Sequence, residues 1–171
     1  MTLSKLRSIK LLLLDVDGVL TGGQIIYSND AVESKIFNVK DGLGIRMLKE
    51  AGIEVGIVTG RTSEALIHRC RDLGISMIYD GVGNKGALLD QILSGKGLDA
   101  HEIAFIGDDL PDISLMKKVG VGIAVNDAHE RVKKTADIIT ANDGGDGAVR
   151  EVCEMILEAK NLLEETINQW I

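Results

Sequence analysis

Residues 9–18 read IKLLLLDVDG, an apolar run that ends in two carboxylates and a glycine. A short apolar run bounded by turn residues is typical of a strand that is buried on both faces. Five further runs have this character, and stretches of helical period separate them. The alternation predicts an α/β fold of three layers, a parallel sheet with helices on both faces. The predicted strands are 9–14, 53–58, 76–79, 103–106, 121–125 and 137–140.

The other segments complete the predicted organisation. Helical patterns occupy 42–51, 63–73, 84–93, 112–118 and 128–134, and an apolar stripe predicts a closing helix from about residue 146. Residues 21–38 break the alternation, and two short β-patterns there predict a small β-hairpin after the first strand. We expect residues 1–171 to form a single domain, with the hairpin inserted at about 21–38 and a C-terminal helix and tail at about 146–171.

Composition and charge limit the possible functions. The 171 residues include 19 basic and 26 acidic side chains, and this net charge of −7 disfavours nucleic-acid binding. Cys70 and Cys153 are isolated, which favours a reducing compartment. The apolar run after the basic N-terminus is too short for a signal peptide or a membrane span. We expect a cytoplasmic protein without a nucleic-acid or membrane partner.

Chemically active side chains follow four of the predicted strands. Ligands of open α/β sheets bind outside the carboxyl ends of the strands, so these side chains are expected to converge at one edge. They are Asp15 and Asp17 after the first strand, Thr59, Gly60 and Arg61 after the second, Lys85 after the third, and Asp108, Asp109 and Asp112 after the fourth.

These residue types fit magnesium-dependent phosphoryl transfer. A phosphate dianion repels an anionic nucleophile unless a divalent cation neutralises it, and Mg²⁺ prefers carboxylate oxygens. We expect Asp15 and Asp108 as direct ligands, with Asp17 completing the metal set. The Asp15 carboxylate would also attack phosphorus and form a covalent intermediate, while Asp17 would protonate the leaving oxygen and later activate water.

The remaining strand-end residues are expected to position the phosphoryl group. The hydroxyl of Thr59, the amide of Gly60 and the ammonium of Lys85 would hold its oxygens. Asp109 and Asp112 are expected to act indirectly, by fixing metal-bound waters and the lysine.

The motifs that carry these residues resemble those of a known superfamily. DVDGVLT at 15–21, TGR at 59–61, NK at 84–85 and GDDLPD at 107–112 resemble the four motifs of the haloacid dehalogenase superfamily. Within it, FNVKDGLGIR at 37–46, NDAHERV at 126–132 and GGDGAVREVC at 144–153 are similar to the 3-deoxy-D-manno-octulosonate 8-phosphate phosphatase family.

The resemblance implies a fold, a reaction and an assembly. The fold is haloacid-dehalogenase-like, Rossmann-type and capless. The implied reaction is hydrolysis of 3-deoxy-D-manno-octulosonate 8-phosphate through an aspartyl-phosphate, with Mg²⁺ as cofactor, in lipopolysaccharide precursor synthesis. The implied assembly is a homotetramer in which the hairpin of one subunit helps to close a neighbour's site.

The resemblance also implies a set of substrate contacts. Arginine recognises carboxylates bidentately, and Arg61 and Arg69, eight residues apart, are expected on one helix face. Asp146 stands where related sequences often carry a basic residue, and an acid there would weaken anion binding. The implied contacts are Asp17, Asn38, Val39, Lys40, Asp41, Gly42, Arg46, Gly60, Arg61, Arg69 and Lys85.

Other functions remain open at this point. The phosphoryl machinery would serve a nine-carbon sialic-acid-type 9-phosphate equally well. A protein of another class, a non-catalytic Mg²⁺-binding receiver-like or scaffold domain, also combines acids, a threonine and a lysine on a parallel sheet. Residues 81–86 match GxGxxG, but they follow the third strand, whereas a dinucleotide fingerprint follows the first.

Overall fold

A six-stranded parallel sheet forms the centre of the fold in the computed structural model, which describes residues 2–171. The sheet has the order β5-β4-β1-β6-β7-β8, and the two remaining strands form the hairpin. In chain order the strands are β1 (Leu11–Leu14), β2 (Ile26–Tyr27), β3 (Glu33–Ser34), β4 (Glu54–Val58), β5 (Met77–Tyr79), β6 (Ile103–Gly107), β7 (Val121–Ala124) and β8 (Ile138–Ile139).

Eight helices pack around the sheet in the described part of the chain, and the predicted fold class is confirmed. None of the described helices is long and apolar enough to cross a membrane. They are α1 (Thr2–Leu6), α2 (Val39–Glu50), α3 (Glu64–Asp72), α4 (Leu89–Lys96), α5 (Ile113–Met116), α6 (Glu130–Lys133), α7 (Ala148–Ala159) and α8 (Leu163–Asn168), with short 3₁₀ turns at Lys85–Ala87, Ala100–Glu102 and Leu110–Asp112.

The register of the central strands sets the position of the site. All four leucines of β1 are fully buried, as expected for a central strand covered on both faces. Leu14 lies opposite Ile57 of β4 and Ile106 of β6, so the three strands end at the same level. The side chains that follow each strand therefore meet at one edge of the sheet.

Several helix boundaries differ from the sequence prediction, and α4 spans Leu89–Lys96 where 84–93 was predicted, because a 3₁₀ turn occupies Lys85–Ala87. Helix α2 begins at Val39, three residues before the predicted start, because the side chain of Asn38 accepts a hydrogen bond from the Lys40 amide at 2.8 Å and caps the helix. The predicted closing helix is two helices, α7 and α8. The chain turns between them at Asn161, whose φ is +58°, a conformation that asparagine tolerates at helix ends.

The hairpin occupies the predicted position with shorter strands. Its antiparallel register pairs Ile26 with Ser34 and Tyr27 with Glu33. Ile36 is 71% exposed, whereas the side chain of Lys35 is only 2% exposed. The hairpin therefore turns a charged face toward its own subunit and leaves apolar side chains on the surface.

Candidate active site

The strand ends form a cleft of about 500 Å³ at the carboxyl edge of the sheet. The shared register predicts this convergence. The cleft also exposes four residues that sequence reasoning did not single out, Gly23, Val82, Gly83 and Pro111. The predicted residues among its lining are Asp15, Asp17, Thr59, Gly60, Arg61, Lys85, Asp108, Asp109 and Asp112.

A buried lysine links two of these carboxylates. Lys85 is 4% exposed, and its Nζ lies 2.9 Å from Asp15 Oδ1 and 2.6 Å from Asp112 Oδ1. Burial alone would lower the pKa of Lys85, but the two carboxylates outweigh it and the pKa lies above its ordinary value. The ammonium is therefore charged and directed at the floor of the cleft.

Asp112 anchors the loop that follows β6. Its Oδ2 accepts hydrogen bonds from the amides of Asp108 at 2.8 Å and Asp109 at 3.2 Å, while Oδ1 accepts from Lys85. Both of its oxygens are thus engaged within the protein. This geometry supports an indirect role, in which Asp112 fixes the lysine and the loop that carries Asp108.

The three acids also form a cluster that fits a divalent metal ion. One oxygen each from Asp15, Asp108 and Asp112 lies within 4.8 Å of the others. Asp108 Oδ1 is buried and has no hydrogen-bond partner among the described residues. Hard cations such as Mg²⁺ bind carboxylate oxygens of this kind. Because Asp112 is already engaged, Asp15 and Asp108 are the acids free to act as direct ligands.

The electrostatics of the cluster also favour binding of a cation. Burial, and then the charge of Asp112, raise the pKa of Asp15 to about 6. Burial, and then the charges of Asp15 and Asp112, raise the pKa of Asp108 to about 8. Carboxylates crowded in this way repel one another, and a bound cation would remove the repulsion.

Gly18 allows the loop after β1 to reach this cluster. Its φ is +89°, a region that side chains disfavour, and a Cβ placed there would lie 2.1 Å from Asp108 Oδ2. Only glycine therefore permits the chain to turn between Asp17 and the rest of the loop while it touches Asp108.

Asp17 faces the hairpin, away from the other acids. Its Oδ1 forms an ion pair with Lys35, and its Oδ2 lies 3.6 Å from Arg61 Nε. The described residues thus place its side chain outside the metal cluster, and its role as a metal ligand stays a prediction. Arg61 also contacts Glu33, at 2.7 Å, and the hydroxyl of Tyr27, at 3.2 Å.

Sequence reasoning missed the charged residues of the hairpin. It described the segment as a hairpin that helps to close a neighbour's site and did not use its charges. A signal was available, because Glu33 and Lys35 are two residues apart and side chains at that spacing share one face of a strand.

Several predicted substrate contacts lie outside the cleft. Arg46 Nη2 donates to the Asp72 carbonyl at 3.2 Å and lines a separate surface depression. Arg69 donates to the Asn38 carbonyl at 3.4 Å and lies over the ring of Phe37 at 5.8 Å. The expectation that Arg61 and Arg69 share a helix face is wrong, since Arg61 precedes α3, which begins at Glu64.

The start of α2 also lies away from the cleft. Asp41 is 1% exposed, and its Oδ1 accepts from the Arg150 amide at 2.8 Å, so this carboxylate caps the first turn of α7. Gly42 is buried beside it, and Val39 is 78% exposed. Lys40 lines a different depression, together with Asp146.

Comparison with known proteins gives one consistent family. Residues 74–152 match the family described as haloacid dehalogenase-like hydrolase. The chain is 44% identical to 3-deoxy-D-manno-octulosonate 8-phosphate phosphatase of Escherichia coli K12 over 169 residues, which cover 99% of this chain and 90% of that protein.

Two solved structures are similar along nearly the whole chain. The Moraxella catarrhalis 3-deoxy-D-manno-octulosonate 8-phosphate phosphatase, in complex with a magnesium ion, a phosphate ion and a KDO molecule, has a TM-score of 0.96 and 43% identity, covering 99% of this chain and 97% of that one. The cobalt-bound deoxy-D-mannose-octulosonate 8-phosphate phosphatase of Haemophilus influenzae has a TM-score of 0.91 and 38% identity, covering 96% and 99%.

Proposed function

This chain belongs to the haloacid dehalogenase-like hydrolases, in the family of 3-deoxy-D-manno-octulosonate 8-phosphate phosphatases, and we propose that it releases phosphate from that sugar-acid ester. The observation that carries the proposal is the buried contact between Asp15 and Lys85, at 2.9 Å, beside Asp108 at the sheet edge. It brings a nucleophile, a phosphate ligand and a metal ligand together in one cleft. Formation of the lipopolysaccharide precursor is the pathway proposed for this reaction.

The chain's own side chains would carry the reaction in two steps. An Asp15 oxygen attacks phosphorus while the bond to the sugar oxygen breaks, and Asp17 gives its proton to that oxygen. Asp17, now a carboxylate, takes a proton from water as the water attacks the aspartyl-phosphate, which releases phosphate and frees Asp15. Lys85, Thr59 and the Gly60 amide hold the phosphoryl oxygens throughout.

Mg²⁺ is the proposed cofactor, held by Asp15 and Asp108. When bound it neutralises charge on the phosphate and on the attacking carboxylate. The Moraxella structure with magnesium, and the close approach of acidic oxygens within 4.8 Å, support this assignment.

The predicted contacts outside the cleft suggest a shared site. Asn38, Lys40, Arg46 and Arg69 contribute polar groups on α2 and α3 that a substrate in this subunit's cleft does not meet directly. We propose a capless homotetramer in which such groups, or the hairpin, face the substrate of a neighbouring subunit. The exposed side chains of Ile25 (53%), Val32 (61%) and Ile36 (71%) support it, because a monomer gains nothing from exposing them.

The alternatives are not favoured by the relatives. None of those described above is named for a nine-carbon acid, and a receiver-like or scaffold domain would not require the acid at Asp17. The GxGxxG segment is accounted for by Lys85, which lies inside the cleft. A cytoplasmic location is part of the proposal, and the two buried free thiols of Cys70 and Cys153 are consistent with it.

A substrate comparison tests the function. With Mg²⁺ present, kcat/KM for 3-deoxy-D-manno-octulosonate 8-phosphate should exceed that for a sialic-acid-type 9-phosphate by at least about tenfold, equivalent to about 1.4 kcal/mol. A preference for the nine-carbon ester would replace the substrate assignment. Absence of hydrolysis of any phosphate monoester would overturn the assignment as an enzyme.

A further inference from the structure

The hairpin contains a buried lysine that contacts the proposed acid–base residue. The side chain of Lys35 is 2% exposed, although most apolar side chains around it are on the surface. Its Nζ donates to Asp17 Oδ1 and lies 3.4 Å from Glu33 Oε1. A buried ammonium is costly unless it is paired, so these two carboxylates explain its position.

Glu33 and Arg61 close a ring of charges around Asp17. Arg61 Nη2 lies 2.7 Å from Glu33 Oε1, and Arg61 Nε lies 3.6 Å from Asp17 Oδ2. Two acids and two bases therefore alternate around the ring. A carboxylate tied in this way has little freedom to rotate, so the ring fixes the plane of Asp17.

The two oxygens of Asp17 are held unequally. Oδ1 accepts a hydrogen bond from Lys35, whereas Oδ2 is 3.6 Å from Arg61 Nε, beyond ordinary hydrogen-bond distance. Oδ2 is the oxygen left available for another partner. Asp17 and Arg61 line the cleft, and Lys35 is not among its lining residues in the described part of the chain. Any effect of Lys35 on the reaction must therefore pass through its partners, either directly through Asp17 or through Glu33 and then Arg61.

We propose that Lys35 is a positioning residue that holds Oδ1 of Asp17 and thereby presents Oδ2 to the leaving oxygen of the substrate. The inference rests on the proposed function, in which Asp17 protonates that oxygen. In the step concerned, the O–H bond on Asp17 breaks and a new O–H bond forms on the leaving alcohol. At the same time the P–O bond of the ester breaks and a P–O bond to Asp15 forms.

The leaving group separates this role from a merely structural one. A sugar alkoxide is a poor leaving group and needs the proton, whereas 4-nitrophenolate leaves without one. General acid catalysis contributes about 10²–10⁴-fold, and a misplaced acid loses part of that contribution. Loss of the Lys35 contact should therefore slow cleavage of an alkyl ester far more than cleavage of 4-nitrophenyl phosphate.

The experiment compares Lys35→Met with Lys35→Arg, measuring kcat/KM with Mg²⁺ for the sugar-acid 8-phosphate and for 4-nitrophenyl phosphate. Lys96→Met is the matched control, because it removes a surface lysine–carboxylate pair with Glu54 and no cleft residue. We expect Lys35→Met to lower the alkyl value about 10–100-fold and the aryl value less than about 3-fold. Lys35→Arg should recover most of the alkyl activity. For both Lys35 variants, the inhibition constant for inorganic phosphate should stay within about 2-fold of the wild-type value.

The ratio of alkyl to aryl kcat/KM decides the outcome, provided that light scattering shows Lys35→Met to have the same mass as wild type, because dissociation of the proposed assembly would lower the same ratio. The ratio does not depend on the fraction of folded enzyme, so a partly unfolded variant still gives an answer. A ratio equal to that of wild type, whether or not both activities fall, would overturn the positioning role and leave the proposed function intact. A wild-type protein that hydrolyses neither ester would overturn the proposed function and this inference with it.

Discussion

Replacing Asp108 by asparagine should stabilise the metal-free protein, although it removes a proposed metal ligand. Burial and the neighbouring acids raise the pKa of Asp108 from its ordinary value of 3.8 to about 8. The folded state therefore binds a proton that the unfolded state releases between about pH 4 and pH 8. Stability of the metal-free wild type should fall as pH rises through this window, because the folded state binds more protons.

The size of the effect follows from the same shift. A pH of 7 lies about three units above the ordinary pKa of Asp108, and each unit corresponds to about 1.4 kcal/mol. Ionisation in the unfolded state therefore lowers the stability of the metal-free wild type by about 4 kcal/mol at most. The amide of the variant must itself be buried, which costs about 1–3 kcal/mol. A net gain of about 2 kcal/mol remains, equivalent to about 4–8 °C in Tm for a chain of this length.

Thermal unfolding in chelator and in excess Mg²⁺, from pH 5 to pH 8, measures the prediction. In chelator, Asp108→Asn should unfold at a higher temperature than wild type, by a margin that widens as pH rises. In Mg²⁺ the order should reverse, since about a hundredfold excess over Kd stabilises wild type by about 2.7 kcal/mol. Asp137→Asn is the control of opposite sign. Burial would raise the pKa of Asp137, but contacts with Lys5 and the Gly122 amide outweigh it and lower the pKa. A metal-free Asp108→Asn variant less stable than wild type at pH 7 would refute the reasoning.

Three further predictions concern the nucleophile, the metal and the assembly. Asp15→Asn should fold but lose at least about 10³-fold in kcat, measured as phosphate release, because the covalent path is lost. A variant that keeps a tenth of the wild-type kcat would contradict the role of Asp15 as nucleophile. A chelator should abolish turnover reversibly and Ca²⁺ should restore little, since its larger coordination shell misplaces the carboxylate; full activity in excess chelator would exclude the metal. If the proposed tetramer forms, Ile25→Lys with Ile36→Glu should dissociate it in light scattering and lower kcat/KM for the sugar phosphate more than for 4-nitrophenyl phosphate. A fully active wild-type monomer would contradict the proposed shared site.

The sequence predicted the sheet and the floor of the cleft for a physical reason. Strands buried on both faces have a distinct apolar signature, and parallel strands in register must deliver the next residues to one edge. Asp15, Thr59 and Asp108 follow three such strands directly. Their convergence required no knowledge of side-chain contacts.

The start of α2 was harder to predict because its buried apolar side chains begin only at Ile45, whereas its first turns pack through a carboxylate and glycines. It buries Asp41 and Gly44 against α7, and a Cβ on Gly44 would lie 2.9 Å from Arg150 Cδ. Helix prediction from the periodicity of apolar residues does not detect such a contact. The resemblance implied Asp41 as a substrate contact, and that role stays a prediction. Its cap on α7 could not be predicted, since a lone carboxylate in a polar segment gives no sign that it caps a distant helix.

The charges at the floor of the cleft set an order of binding. The carboxylates of Asp15, Asp108 and Asp112 surround a single ammonium, that of Lys85. Above the pKa of Asp108, about 8, all three acids are ionised, two negative charges remain uncompensated, and a phosphate dianion is repelled from this floor. A divalent cation cancels that excess, and only then does the Lys85 ammonium have attraction to spare for a phosphoryl oxygen. In the proposed mechanism, Lys85 is therefore one half of a phosphate site whose other half is the metal.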